Sequence, residues 1–385
     1  MKIAILRKKY TFHGGAEGFS QSIIKQLAGT GHEVHIYAMK WDSNPTAKNI
    51  YFHKVPAITF NSTLRDLSFA LSACRLLKRE PFDIIQSHDK TLYQDIYRAG
   101  DGCHIEWLGQ RWKRTGLVGK LSIAFNPYHW LVLFMERLIF KGHRFKKVIA
   151  ISELVKKNII EHYNVNEEDI EVIYNGVDLE RFNPQNKDLY RKEIRKKYSI
   201  TDNAFVSLFV GSGFERKGVE SLLKAIELVP NPLTLLIVGK GSEKRYKDLI
   251  KKQRVIFCGP QKEIHKFYAA SDIFVFPTIY EPFGNVNLEA LASGLPVITT
   301  RLSGAAEIIK DGLHGFIVLF PEDYSAIAEK IKFLIENDKQ RELISLNARK
   351  LAEEFSFEKH LEKVLNLYKN IVHCFSISGL KLPRA

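Results

Sequence analysis

The chain has 385 residues, 45% hydrophobic and 26% charged with no low-complexity tract, which excludes a disordered or fibrous protein and leaves room for about two domains with sizeable cores. Lys and Arg number 57 against 43 Asp and Glu, and a formal charge of +14 draws the surface toward something acidic: nucleic acid, anionic lipid headgroups or a phosphorylated substrate. Cys74, Cys103, Cys258 and Cys374 are far apart and form no metal-binding pair, so they read as free thiols in a reducing compartment.

At the N-terminus M-K-I-A-I-L reads as a first strand and not as a signal peptide, because Arg7, Lys8 and Lys9 end the apolar run. Ile3 to Leu6 predicts a strand, Glu17 to Leu27 a helix with apolar residues at Phe19, Ile23, Ile24 and Leu27, Val34 to Ala38 a strand, and Leu64 to Leu77 a helix. Phe82 to Ile85, Ile96 to Ala99 and Val148 to Ile151 add strands whose unbroken apolar character implies a parallel sheet covered on both faces. The greasiest window, Leu121 to Phe140, contains Asn126, Pro127, His129, Glu136 and Arg137, so no membrane span is expected. Asn175-Gly176 and Asn183-Pro184 mark a crossing between domains. Beyond it Phe205 to Val210, Leu233 to Val238, Val255 to Phe257, Ile273 to Phe276 and Pro296 to Thr299 alternate with helices in a second parallel pattern. Apolar residues at helical spacing from Phe355 to Ile371 predict a terminal helix, with a loose end from Ser376 to Ala385.

Ligands in such sheets bind beyond the carboxyl ends of the strands, so the loops there carry the chemistry. After the first strand, Gly14-Gly15 lets backbone approach a ligand closely, or simply makes a tight turn, and Glu17 either binds ligand or caps its helix. The loop Val210 to Gly218 sets Arg216 beside Lys217 at a helix start, where an anion such as diphosphate fits between them; the bland alternative is a solvated basic turn. Tyr280 to Glu289 has the order strand, loop, helix N-terminus, in which Gly284, Asn285 and Val286 would point backbone N–H groups at an anionic or hydroxyl-rich ligand. Glu281 and Glu289 bracket that cradle and can accept hydrogen bonds from sugar hydroxyls, which suits a nucleotide sugar.

In order along the chain, G-G-A-E, Y-N-G-V-D-L-E-R-F-N-P, E-R-K-G, and E-P-F-G followed by Glu289 resemble the retaining glycosyltransferases of the GT-B fold, family four, and the likeness covers nearly the whole chain. The resemblance implies an α/β architecture of two Rossmann-like doubly wound domains facing a central cleft. Residues 1–175 would bind acceptor, 176–355 would bind the nucleotide sugar, and 356–375 would form a helix crossing back onto the first domain. It further implies that Arg216 and Lys217 hold the donor diphosphate and that Glu289 binds the ribose hydroxyls. Glu281 and the Phe283-Gly284-Asn285 backbone would contact the transferred sugar, with Val286 near the diphosphate and Gly14, Gly15 and Glu17 on the donor side of the first domain. His104, in A-G-D-G-C-H, would lie near the donor sugar, its alternative being a structural loop histidine; His88 and Lys90, in S-H-D-K, are further candidates. The transfer would proceed on one face of the sugar, and with two cations on the diphosphate and no D-x-D motif neither a metal nor a cofactor is expected.

Lys9-Tyr10, V-G-S-G-F-E-R-K-G-V and D-I-Y-R-A-G-D-G-C-H resemble, within that family, the lipopolysaccharide core (heptose) alpha-1,3-glucosyltransferase group. This implies a hexose, glucose, moved from a UDP-sugar to a lipid-linked glycan at the cytoplasmic face of the cell membrane; the sugar loop departs from the group at Pro282 and Phe283. Trp107, Trp112 and Trp130 fall within 105–147, a segment that also carries Arg111, Lys113, Arg114, Lys120 and Arg137. That mixture suits an anionic membrane surface, or else a packed helix with a basic outer face. It would suit single-stranded nucleic acid as well, but no nucleic-acid motif accompanies it, so no such partner is expected. Two rival functions remain: a UDP-sugar epimerase on the same fold, and a non-catalytic basic membrane- or nucleic-acid-binding protein.

Overall fold

The computed structural model describes residues 1–10, 23–24, 26–41 and 48–378, with side chains to residue 373 in the last helix. The chain divides into two compact units, Met1–Asn175 together with the chain from Phe357 onward, and Gly176–Ser356.

In the first unit β1 (Lys2–Leu6), β2 (Glu33–Ala38), β3 (Ile50–Lys54), β4 (Ile84–Ser87), β5 (Ile96–Ala99), β6 (Lys147–Ala150) and β7 (Ile170–Val172) form one sheet in the order β3-β2-β1-β4-β5-β6-β7. Every neighbouring pair is parallel. The apolar run of β1 is explained by cover on both sides. Ala4 and Leu6 pack with Phe69, Ala73 and Leu77 of the helix Ser62–Leu77. Ile3 and Ile5 pack with Leu361, Val364, Leu367 and Tyr368 of the helix Phe357–Ser378. Polar contacts fix that helix as well: the buried Tyr368 hydroxyl donates to Gln86 Oε1 at 2.9 Å, and His360 Nδ1 donates to the Tyr174 carbonyl at 2.7 Å. Burial pulls His360 down to about 3, so it is the neutral ring that makes this bond.

The second unit repeats the plan. β8 (Val206–Val210), β9 (Thr234–Val238), β10 (Arg254–Gly259), β11 (Ile273–Phe276), β12 (Val297–Thr300) and β13 (Gly315–Val318) lie in the order β10-β9-β8-β11-β12-β13, all parallel. The chain leaves β8 in one direction across the sheet and returns to its other side at β11, so the loops after these two strands are neighbours at a topological switch point. The start of β8 is pinned by charge. Buried Arg195 donates to Asp272 Oδ2 at 3.0 Å and to the carbonyls of Thr201, Asp202 and Ala204, while the same Asp272 oxygen accepts from the Val206 N–H at 2.8 Å.

The doubly wound parallel architecture is as the apolar runs imply, with local differences. The run Phe82 to Ile85 contributes to the ladder only from Ile84; Phe82 is buried for another reason, meeting the rings of His35 and Tyr37 edge-on at 5.2 and 6.0 Å. Strand β3 escapes the apolar criterion because it is an edge strand with only Ile50 of its five residues fully buried. Ile23, Ile24 and Leu27 are buried as the helix expected from Glu17 to Leu27 requires, but Gly14, Gly15, Glu17 and Phe19 lie outside the described residues.

Because Tyr368 is fully buried in the first core, Tyr368→Ala should cost that unit roughly 3–5 kcal/mol and Tyr368→Phe, which loses only the Gln86 hydrogen bond, about 1 kcal/mol. Scanning calorimetry should show one of two thermal transitions moving and the other staying; an unmoved thermogram for Tyr368→Ala would contradict this packing.

Candidate active site

The loops after β8 and β11 are stitched to each other before any ligand is considered. The Arg216 carbonyl accepts from the Ile279 N–H at 3.0 Å and from the Thr278 hydroxyl at 3.1 Å. Gly218 has φ +80°, and a Cβ there would stand 1.8 Å from the Pro277 carbonyl oxygen, so only glycine permits the approach.

The two cations of the first loop then converge on one carboxylate of the second. Glu281 Oε2 accepts from Arg216 Nη1 at 2.9 Å and also from Lys217 Nζ. Arg216 Nη1 donates in addition to the Tyr280 carbonyl at 2.9 Å, and the Lys217 ammonium stands 5.1 Å from the centre of the Phe276 ring. Burial alone would raise the Glu281 carboxyl; Lys217 and Arg216 outweigh it and hold Glu281 below the ordinary carboxylate range. The sequence assigned these cations to an incoming anion and Glu281 to a sugar, whereas in the structure all three form one network with a surplus positive charge.

The helix Asn285–Ala292 starts at Gly284, whose φ is +90° and whose Cβ position lies 2.8 Å from Asn287 Nδ2. Phe283 is core: its side chain is buried and its carbonyl accepts from the Ala305 N–H at 2.8 Å and the Ser303 hydroxyl at 3.0 Å, leaving that side chain unavailable to a ligand. Asn287, also buried, donates to Ser303 Oγ at 3.2 Å. These contacts fix the loop and the first turn of its helix against Ser303 and Ala305, so the first helical N–H groups, Val286 among them, keep one direction.

Glu289 sits one turn into that helix, 8% exposed, and its Oε2 accepts from the buried Tyr268 hydroxyl at 2.9 Å. Burial pushes Glu289 up to about 7, against the Tyr268 hydrogen bond and the charge of Arg181. Tyr268 and Arg181 were not singled out from the sequence. Tyr268 belongs to the short helix Ile264–Ala270, where an aromatic reads as core, and only the direction of its hydroxyl reveals the second role.

In the first unit His104 opens the helix His104–Lys113 after β5. Its backbone N–H donates to Glu136 Oε1 at 2.7 Å, and Glu136, fully buried, also meets Lys90 Nζ at 3.4 Å and the Tyr163 hydroxyl at 2.5 Å. The His104 ring faces His129, with Nε2 and Nδ1 3.0 Å apart. Burial first, then Lys90 and His129, takes His104 down to about 3, so the ring is neutral near neutral pH. His88 is buried against Gln86 at 2.6 Å. Among the described residues no group of three or more His, Cys, Asp or Glu is arranged to hold a metal ion.

The segment 105–147 forms the helices His104–Lys113, Leu117–Ala124 and Pro127–Phe140. Much of its apolar surface faces outward: Leu117 is 74% exposed, Val118 82% and Phe125 71%, and Trp112, Leu121, Trp130 and Phe134 are exposed too. Lys120 lies 5.5 Å over the Trp112 ring. No helix of the described residues is long and apolar enough to cross a membrane.

The second-unit groups can therefore hold an anion flanked by hydroxyl-bearing rings: two cations, a helix N-terminus and a carboxylate on either side. Comparison with known proteins gives the family. The family described as Glycosyl transferases group 1 matches residues 190–351, and Glycosyltransferase Family 4 matches residues 13–181. The lipopolysaccharide glucosyltransferase WaaG of Escherichia coli (strain K12) is 26% identical over 361 residues, covering 92% of this chain and 94% of that protein. Among solved structures, WaaG, a glycosyltransferase involved in lipopolysaccharide biosynthesis, superimposes with a TM-score of 0.81 at 24% identity, over 95% of this chain and 99% of its own. Anabaena Alr3699/HepE, solved in complex with UDP and glucose, gives 0.72 at 20% identity, over 96% and 100%. The two superpositions establish a shared fold.

The raised Glu289 carboxyl gives a pH signature. Its ordinary value is 4.5 and its folded value about 7, so the stability it contributes is fully present below 4.5 and is lost as pH rises through about 7. Thermal melts of the native protein should fall relative to Glu289→Gln from about pH 5 to about pH 8, and Tyr268→Phe, which removes a bond to the charged form, should move the titration higher still. Parallel melting profiles for the native protein and Glu289→Gln would exclude the raised value.

Proposed function

This chain belongs to the group 1 and family 4 glycosyltransferases of the GT-B fold, and we propose that it moves a hexose, glucose, from a UDP-sugar to a lipid-linked glycan such as a lipopolysaccharide core, retaining the anomeric configuration and using no metal. The observation that carries this reading is the pair Arg216 and Lys217 gathered on Glu281 beside a helix N-terminus. A diphosphate entering there meets both cations and competes for them with Glu281, which frees that carboxylate to accept from a hydroxyl of the sugar. Glu289, once ionised, accepts from the ribose hydroxyls. His104 is read as a hydrogen-bond donor to the sugar undergoing transfer.

As the bond from the anomeric carbon to the diphosphate breaks, negative charge grows on the leaving oxygen, and Arg216, Lys217 and the helix N–H groups would stabilise it there. The acceptor hydroxyl adds to the anomeric carbon on the same face and its proton passes to the departing diphosphate. Two fixed cations supply the charge stabilisation a metal would otherwise give. The UDP and glucose bound by Alr3699/HepE support the choice of donor, and the relationship to WaaG supports the choice of acceptor. The outward apolar and basic residues of 105–147 suit docking on the anionic inner face of the cell membrane, where a lipid-linked acceptor is found.

Incubation of the pure protein with labelled UDP-sugars and lipid-linked core acceptors should give transfer from one donor. Lys217→Ala and Glu281→Ala should lower kcat by about a hundredfold or more at unchanged fold. No transfer and no donor hydrolysis across the panel would refute the reading, and conversion of a UDP-sugar without acceptor would identify an epimerase instead. Replacing Leu117, Val118 and Phe125 together by Ser should weaken sedimentation with phosphatidylglycerol-containing vesicles by roughly tenfold or more, since each is a side chain whose burial is worth about 1.5–3 kcal/mol. Vesicle binding unaffected by the triple change would rule this surface out.

A further inference from the structure

We propose that His129 is a positioning residue that fixes the tautomer of His104, holding the proton of the neutral His104 ring on Nδ1 so that this nitrogen is a hydrogen-bond donor aimed at substrate. The functional half of the proposal rests on the reading of His104 as a sugar contact.

His104 Nε2 and His129 Nδ1 are 3.0 Å apart, so one of them carries the proton and the other a lone pair. The far nitrogen of His129 decides which. His129 is 8% exposed, and its Nε2 is buried with no hydrogen-bond partner. A proton on that Nε2 would be a buried donor with no acceptor, at about 1–3 kcal/mol, while a bare lone pair there is the cheaper defect. The proton of His129 therefore sits on Nδ1 and is given to His104 Nε2, which leaves the His104 proton on Nδ1. Among the described residues that nitrogen has no hydrogen-bond partner, so a ligand finds it available.

The partner's chemistry suits the task. A carboxylate beside His104 Nε2 would also orient the ring, but it would stabilise the imidazolium; a neutral imidazole orients it without adding charge. The nearby Glu136 carboxylate is kept off the ring, its oxygens engaged by the His104 backbone N–H, Lys90 and the Tyr163 hydroxyl. His129 and Glu136 lie seven positions apart, two turns along one face of the helix Pro127–Phe140, so a single face sets both the ring and the backbone of His104.

Long-range nitrogen–proton spectra of the full chain, labelled at histidine and recorded at neutral pH, read the tautomer directly, with His104→Asn assigning the His104 signals. Protonation of His104 on Nδ1 is expected in the native protein and in His129→Asn, whose amide N–H replaces the Nδ1 donor. His129→Phe, which offers no donor, should give mixed tautomers and about a tenfold lower kcat at unchanged donor KM, the worth of one hydrogen bond, with His129→Asn restoring most of the rate. A native His104 protonated on Nε2, or ring signals that ignore His129→Phe, overturns the proposal. If the tautomer is as stated yet His104→Asn transfers sugar at the native rate, the sugar contact of His104 falls, and the functional half of the proposal with it.

Discussion

A carboxylate held between two cations, at the place where two neighbouring strands hand their chains to loops, organises the second unit of this protein. Glu281 binds Arg216 and Lys217 with its own carboxylate and the Lys217 ammonium largely withdrawn from water, where a charge without its partner is costly and a charge with two partners is tightly placed. The surrounding sequence answers to that geometry. Gly218 lets one loop touch the carbonyl of Pro277, Gly284 turns the other into its helix, and Phe283 anchors in the core so that the backbone around it stays put. The cations are oriented in advance, so that under the proposed function a diphosphate would exchange one anion for another with little reorganisation of the protein.

Glu281 and Glu289 stand eight positions apart and are driven in opposite directions. Cations hold Glu281 ionised, while Glu289, shielded and met mainly by a tyrosine hydroxyl, titrates near neutrality. The same side chain thus serves as a fixed charge at one point and as an adjustable acceptor at the other, by environment alone. Sequence spacing gives the two an identical rank; neighbours up to 65 positions away give them different chemistry.

Central strands such as β1 and β11 were legible because both their faces are covered and every residue must be apolar, whereas the edge strand β3 was not, its pattern being diluted by residues facing water. Phe82 shows the converse error, an apolar residue buried by ring contacts outside the ladder. The loops E-R-K-G and E-P-F-G could be found in the sequence since each follows an apolar strand and precedes a helix. That they share one ion network could not, because such a bond joins residues with no local relation. His129 registers in the sequence only as a polar interruption of an apolar run, and Tyr268 only as part of a core; for both, function lies in where a single polar atom points.

The helix Pro127–Phe140 turns Trp130 and Phe134 outward and His129 and Glu136 inward, within fourteen residues of one rigid rod. Its two sides cannot be tilted separately. Anything that seats the outer aromatics sets the angle of the rod, and the rod's inner side carries the groups that hold His104. Any surface gripping those aromatics would act as an alignment jig for the histidine on the far side of the same rod.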